Sequence, residues 1–330
     1  MTNNTIRNLV GSPFSPLTFL EPRHPLNLYF IQFFAFGYLA YLLLSWDFTT
    51  IGYYPNAAYE EFHRYSINSY WDPPLYYYFP GFLFIYRWVP HLSPHGLGIL
   101  QSVTAGFACL GLVGVFPRLS AWVVFVLFGH LCALYLYISR TLDGSTTIPL
   151  GMIFILGLTQ SGTLYYIGKP SSWKMAPRYS WPVALYWLYI AYYYSHSGLN
   201  KGIESSWLWP LQNHLENFAK ERLEQSLFIS EPLNFPHTTS TFTQIFYGYI
   251  SAGVGFFLEL SVLFIPFLKN QYRLILAVFM AGLHVSVYLL YGYNYLFYGI
   301  AIFLCLDYSK FAETYQRGQN FSRFLRHEPA

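Results

Sequence analysis

The chain has 330 residues, of which only 10% are charged and 54% belong to the nine hydrophobic types. A soluble globular protein carries about 25% charged residues, so the composition argues against a pair of ordinary soluble domains. The 31 Phe, 32 Tyr and nine Trp exclude a disordered chain. A net charge of +3 leaves no electrostatic footprint for nucleic acid, and three cysteines make no disulfide scaffold. The remaining class is an all-α, polytopic membrane helical bundle.

Residues 1–27 include Pro13, Pro16, Pro22 and Pro25 and no apolar run, and they read as an irregular cytoplasmic segment rather than a signal peptide. About 20 mostly apolar residues are needed to cross a bilayer as a helix. Runs of this kind occupy residues 28–46, 96–116, 119–139, 147–168, 181–200, 243–268 and 272–291, and a shorter one occupies 295–306. About eight spans are expected, within a transmembrane domain at 28–307 followed by a cytoplasmic tail at 308–330. Residues 75–89 are also apolar, but Pro80 and Gly81 interrupt them, so a re-entrant or interfacial segment is expected there. With the N-terminus inside, twelve of the 18 Lys and Arg fall in inside segments and six outside. That bias favours two cytoplasmic termini. Long outside loops then cover 47–95 and 201–242, and 211–227 has the spacing of an amphipathic helix.

The sequence contains no phosphate-binding glycine loop, no nucleophile elbow and no zinc-binding His-Glu-x-x-His. Its cysteines, Cys109, Cys132 and Cys305, all fall inside apolar runs, where they read as small buried residues, and no metal site is expected. Ionisable groups within a span cost about 2.5–3.5 kcal/mol each on insertion scales and point to function. Here they are His130, His196, Lys201, Glu259 and His284, with Gln101 and Gln160 as neutral additions. Each also has a structural reading, as a helix–helix hydrogen bond or a snorkelling end.

Lys201 has the most unusual setting. It ends the segment Tyr192-Tyr193-Tyr194-Ser195-His196-Ser197-Gly198-Leu199-Asn200-Lys201-Gly202, and Trp207 follows. His196 and Asn200 share one helix face, as do Ser197 and Lys201. Gly198 and Gly202 permit close helix approach. A lysine held among aromatic groups is expected to have a depressed pKa and to suit general-base chemistry.

At these residues the chain resembles the horizontally transferred transmembrane family, which includes the vitamin K-dependent γ-carboxylases. The resemblance rests on Gly198-Leu199-Asn200-Lys201 with Trp207 beyond, on Glu259-Leu260, on the basic turn of Lys269 and Arg273, and on His284 in the next run. It implies that Lys201 deprotonates a reduced quinone, whose reaction with oxygen yields a strong base that removes a proton from a substrate carbon. His284 and Glu259 would then join Lys201 as catalytic residues, and His196, Tyr193, Tyr194, Asn200 and Trp207 would hold the apolar cofactor. The stretch Asp143-Gly144-Ser145-Thr146-Thr147 lacks the histidine the carboxylases carry there, so the substrate is expected to be a peptide or small molecule. The expected partners are the lipid bilayer and that substrate, with no nucleic acid. Two alternatives stay open, a non-catalytic membrane subunit, immunity-type protein or sensor, and a transporter. Tyr186, Trp187, Tyr189, Tyr192, Tyr193 and Tyr194 cover every face of the helix carrying Lys201. With Tyr288, Tyr291 and Tyr293 they suggest an aromatic-walled cavity between the fifth and seventh runs.

Overall fold

A computed structural model describes residues 21–53, 92–139, 144–159, 175–204, 206–208, 251–291 and 296–309. The described residues are helical, with no β-strand. In chain order the α-helices are α1 (Pro25–Ser45), α2 (Pro94–Val113), α3 (Pro117–Ser139), α4 (Gly144–Leu158), α5 (Ser180–Glu204), α6 (Ser251–Ser261), α7 (Asn270–Tyr291) and α8 (Leu296–Phe303). Each lies within or overlaps one of the apolar runs. The segment 75–89 and the amphipathic stretch 211–227 lie outside the described residues, as do Tyr293 and the side chains of Tyr288 and Tyr291.

Two compact units divide the chain. One comprises His24–Pro182 with Ser309–Ala330, the other Met1–Arg23 with Val183–Tyr308. In the first, α1 packs on α2 and α4, and α3 packs on the same two helices, closing a four-helix ring. Proline starts α1 and α2 at a position whose N–H needs no partner, and His24 and Ser93 cap the next free amides. Two glutamines then tie α1 and α2 together reciprocally. Gln101 of α2 donates to the carbonyls of Leu43 and Trp46, both at 2.6 Å, and accepts from the Phe48 N–H. Gln32 of α1, fully buried, donates to the Gly111 carbonyl at 2.9 Å. Each helix thus donates to carbonyls at the other's C-terminal end, where intrahelical donors run out. By length and composition, α1 and α2 are the two described helices able to cross a membrane.

In the second unit, α7 packs on α6 and α8. The run 243–268 is not one continuous helix over its described part. Helix α6 stops at Ser261, and a 3-10 segment, Val262–Phe267, follows. Pro266 accounts for the break, because it lacks an N–H and disfavours helical geometry in the residue before it. Along α5 the buried face repeats through Val183, Trp187, Ile190 and Tyr194, and along α7 through Arg273, Ala277, Met280 and His284. The opposite face of α7 exposes Leu274, Ile275, Val278, Phe279 and Val285, all apolar. Arg273 and His284 therefore lie on the buried face of α7 among apolar side chains, while its exposed face is apolar as well.

Candidate functional site

All the groups of this site belong to the second unit. Residues 194, 198 and 201 fall on one stripe of α5, because an α-helix turns every 3.6 residues. Gly198 brings α6 against that stripe. A Cβ at this position would lie 3.1 Å from Leu260 Cγ and 3.3 Å from Glu259 Cβ, so any larger residue would push these neighbours back by a few tenths of an ångström. One turn later Lys201 Nζ donates to both oxygens of Glu259, at 2.6 and 2.7 Å. Both side chains are largely enclosed, with 29% of Lys201 and 15% of Glu259 exposed. The carboxylate that pairs with Lys201 comes from 58 positions away.

Deeper along the same stripe, the Tyr194 hydroxyl is 3.2 Å from His284 Nε2, and both residues are buried. Their rings pack with Tyr298 of α8, at centroid distances of 5.8 Å for Tyr194–His284 and 5.3 Å for His284–Tyr298. Tyr193 leans on both Tyr194 and Tyr298. The two polar pairs are within electrostatic reach of each other, with Lys201 acting on His284 and Glu259 on Tyr194. The structure therefore gathers Lys201, Glu259, His284, Tyr194 and Tyr193 around one seam. In place of open cavity walls, the aromatic rings form a packed cluster.

His196 and Asn200 belong to a different stripe. Asn200 Nδ2 is 3.3 Å from His196 Nδ1, and His196 packs on the half-exposed Tyr192. At about 100° per residue this stripe lies opposite Tyr194 and Lys201 on α5. Trp207 folds back on the end of α5. Its N–H donates to the Gly202 carbonyl at 2.6 Å, and its ring meets Phe256 of α6 edge-on at 6.2 Å.

Sequence reading missed Tyr298 and Phe256, which carry no signal beyond being aromatic in an aromatic-rich chain. It also assigned Arg23 and Arg273 to loops, whereas both are buried, at 3% and 2% exposure. Their guanidinium carbons lie 4.8 and 3.5 Å from the Trp187 ring centroid. Arg273 donates to the carbonyls of Ile265 and Pro266, and Arg23 pairs with Asp307. Asp307 is held in turn by Asn270. Nearby, burial raises the Tyr308 phenol above its ordinary range, with Cys305 adding to the effect, and its hydroxyl donates to the Phe303 carbonyl. Among the described residues, no three His, Cys, Asp or Glu side chains gather as a metal site.

Comparison with protein-family models, with curated proteins and with solved structures returns no match.

Proposed function

We propose that the protein is a multi-pass integral membrane enzyme of carboxylase-like architecture, with both termini cytoplasmic, in which Lys201 and Glu259 act together as a proton acceptor. The membrane assignment is supported by two helices of spanning length and by the outward apolar face of α7. The observation that carries the chemistry is the two-oxygen grip of Glu259 on Lys201 beside the Tyr194–His284 pair.

Moving one proton from Lys201 Nζ to a Glu259 oxygen converts the ion pair into a neutral amine and a neutral acid. An apolar environment narrows the gap between these forms, because only the ion pair bears the cost of desolvation. The neutral amine is the form that accepts a proton from a bound acid. The cofactor we infer is a reduced quinone, admitted where the packed rings part, with the proton acceptor at the seam, the Tyr194–His284 pair to meet an oxygen and the Tyr193 and Trp207 rings to face a flat molecule. When bound, such a cofactor would supply the reducing equivalents for reaction with oxygen. Lys201 and Glu259 would hold its proton, and the aromatic shell would keep bulk water from the reacting atoms. The substrate modified would be a peptide or small molecule.

The test is oxygen uptake by the purified protein in detergent, with a reduced naphthoquinone as the probe. Uptake above the protein-free rate is expected for the native protein and is lost in Lys201→Ala. Equal uptake by the two refutes the reading.

One observation favours a second reading, a non-catalytic membrane subunit or sensor. The ion pair joins α5 to α6, a structural role that needs no chemistry. Replacing both residues by Met would then leave the function in cells intact, because an enclosed pair is often replaceable by apolar packing. The catalytic reading expects a folded but inactive protein.

A further inference from the structure

The turn that ends α5 has an unusual backbone. Ser206 and Trp207 have φ of 52° and 64°, two consecutive non-glycine residues in the left-handed region. Such conformations persist only where surrounding contacts hold them, and they concentrate at ligand clamps and switch segments. Here the contacts belong to the Trp207 indole. It lies on Gly202 so closely that a Cβ there would be 2.8 Å from the ring. It meets Phe256 edge-on, and the Trp207 backbone N–H returns to the Gly202 carbonyl. Gly202 is next to Lys201, and Phe256 is one turn before Glu259 on α6. The indole thus touches both helices of the ion pair within a turn of each charged residue, yet remains 55% exposed.

We propose that Trp207 is a hinged cap on the Lys201–Glu259 pair, closed in this structure, and that relaxation of the Ser206–Trp207 turn opens the pair to solutes from the outer end of α5. The ring is well placed for this role because it is held mainly by its own faces. Removing one contact surface, the flat Gly202 position, is enough to displace it. The strain in the turn favours release once the ring has left its seat. The cap deepens the proposed proton-acceptor role, but its test does not depend on turnover.

The experiment measures acetylation of Lys201 by a water-soluble, amine-reactive acetyl ester. The full chain is used in detergent, and the modified peptide is quantified over time by mass spectrometry. Lys269, at the start of α7, serves as the internal reference. Trp207→Ala and Gly202→Ala are each expected to label several-fold faster at Lys201, with Lys269 unchanged. Trp207→Phe, which keeps an aromatic ring on Gly202, should stay close to the native rate. Native rates at Lys201 in both alanine variants overturn the proposal. So does an acceleration shared by Lys269, which would mean general loosening rather than an opened cap. A protein that labels as expected but shows no quinol-dependent oxygen uptake keeps its cap and loses the proposed chemistry. The reverse result removes the cap alone.

Discussion

Lys201 meets both oxygens of Glu259 one turn beyond Gly198, where α6 comes close to the same stripe of α5. Glycine there sets how near the two helices come, and that separation sets whether a lysine at the end of one can reach a glutamate within the other.

The coupling between the two charges is therefore measurable. Lys201→Met and Glu259→Met should each lower stability, since each leaves its partner partly enclosed and unpaired. The double variant should recover part of the loss. A double-mutant cycle on thermal unfolding in detergent should give an interaction energy of about 1–3 kcal/mol, the usual range for residues in direct contact. Additive losses would show that the contact contributes nothing to the fold.

Gly198→Leu tests the seam without touching a charge. A Cβ already crowds Leu260 and Glu259, and three further carbons have no room without moving α6 away. The expected result is loss of quinol-dependent oxygen uptake comparable to that of Glu259→Gln. The thermal midpoint should also fall, because overpacking a tight contact costs about 1–3 kcal/mol. Unchanged activity in this variant would mean that the Lys201–Glu259 contact is not needed.

Gln32 and Gln101 should be interchangeable with leucine only at a cost. Gln101→Leu strips partners from the Leu43 and Trp46 carbonyls and from the Phe48 N–H, and Gln32→Leu strips one from Gly111. Each hydrogen bond lost costs about 0.5–1.5 kcal/mol. Gln101→Leu should therefore lower the unfolding midpoint more than Gln32→Leu. The two sites lie at opposite ends of the α1–α2 pair, so their effects should add.

Much of the architecture was legible because a helix in an apolar run announces itself by length and composition. The runs containing α5 and α7 begin within two residues of the helices they hold. Pro266 was visible in the sequence as well, but within a long apolar run its local effect was outweighed by the overall pattern. The site was legible in part. Lys201, Glu259 and His284 drew notice because a charge or imidazole in an apolar helix needs a partner. Which partner each takes was not legible, because pairing across 58 or 90 positions is decided by helix packing and leaves no local spacing. His196 and Asn200 show the opposite case. Their i, i+4 spacing correctly put them on one face, but spacing on a single helix could not tell which face turns toward α6. Arg23 and Arg273 were counted as loop charges because counting treats every helix end as wet. The Trp187 ring and the Asp307 carboxylate allow both to be buried instead.

Arg273→Lys separates stacking from charge. Lysine keeps the positive charge but loses the planar group that lies 3.5 Å from the Trp187 centroid and donates to two carbonyls. Destabilisation of about 1–3 kcal/mol is expected from the loss of two hydrogen bonds donated by a charged group. Retention of the native midpoint would show that charge alone holds this end of the unit.

Tyr194→Phe removes one hydroxyl from the seam and leaves the ring stack with His284 and Tyr298 in place. A neutral hydrogen bond is worth about 0.5–1.5 kcal/mol net, so the fold should tolerate the change with a small fall in midpoint. The effect on His284 should be larger. Which of its nitrogens carries the proton is set by the partners of each, and Tyr194 is the partner of Nε2. Nitrogen NMR of histidine-labelled protein, with His284 assigned by its loss in His284→Gln, should show a shifted tautomer balance in Tyr194→Phe. Oxygen uptake should drop further than the stability change accounts for. If the His284 signals do not move, the hydroxyl is only filling space, and the Tyr194–His284 pair has no part in orienting the imidazole toward Lys201 and Glu259.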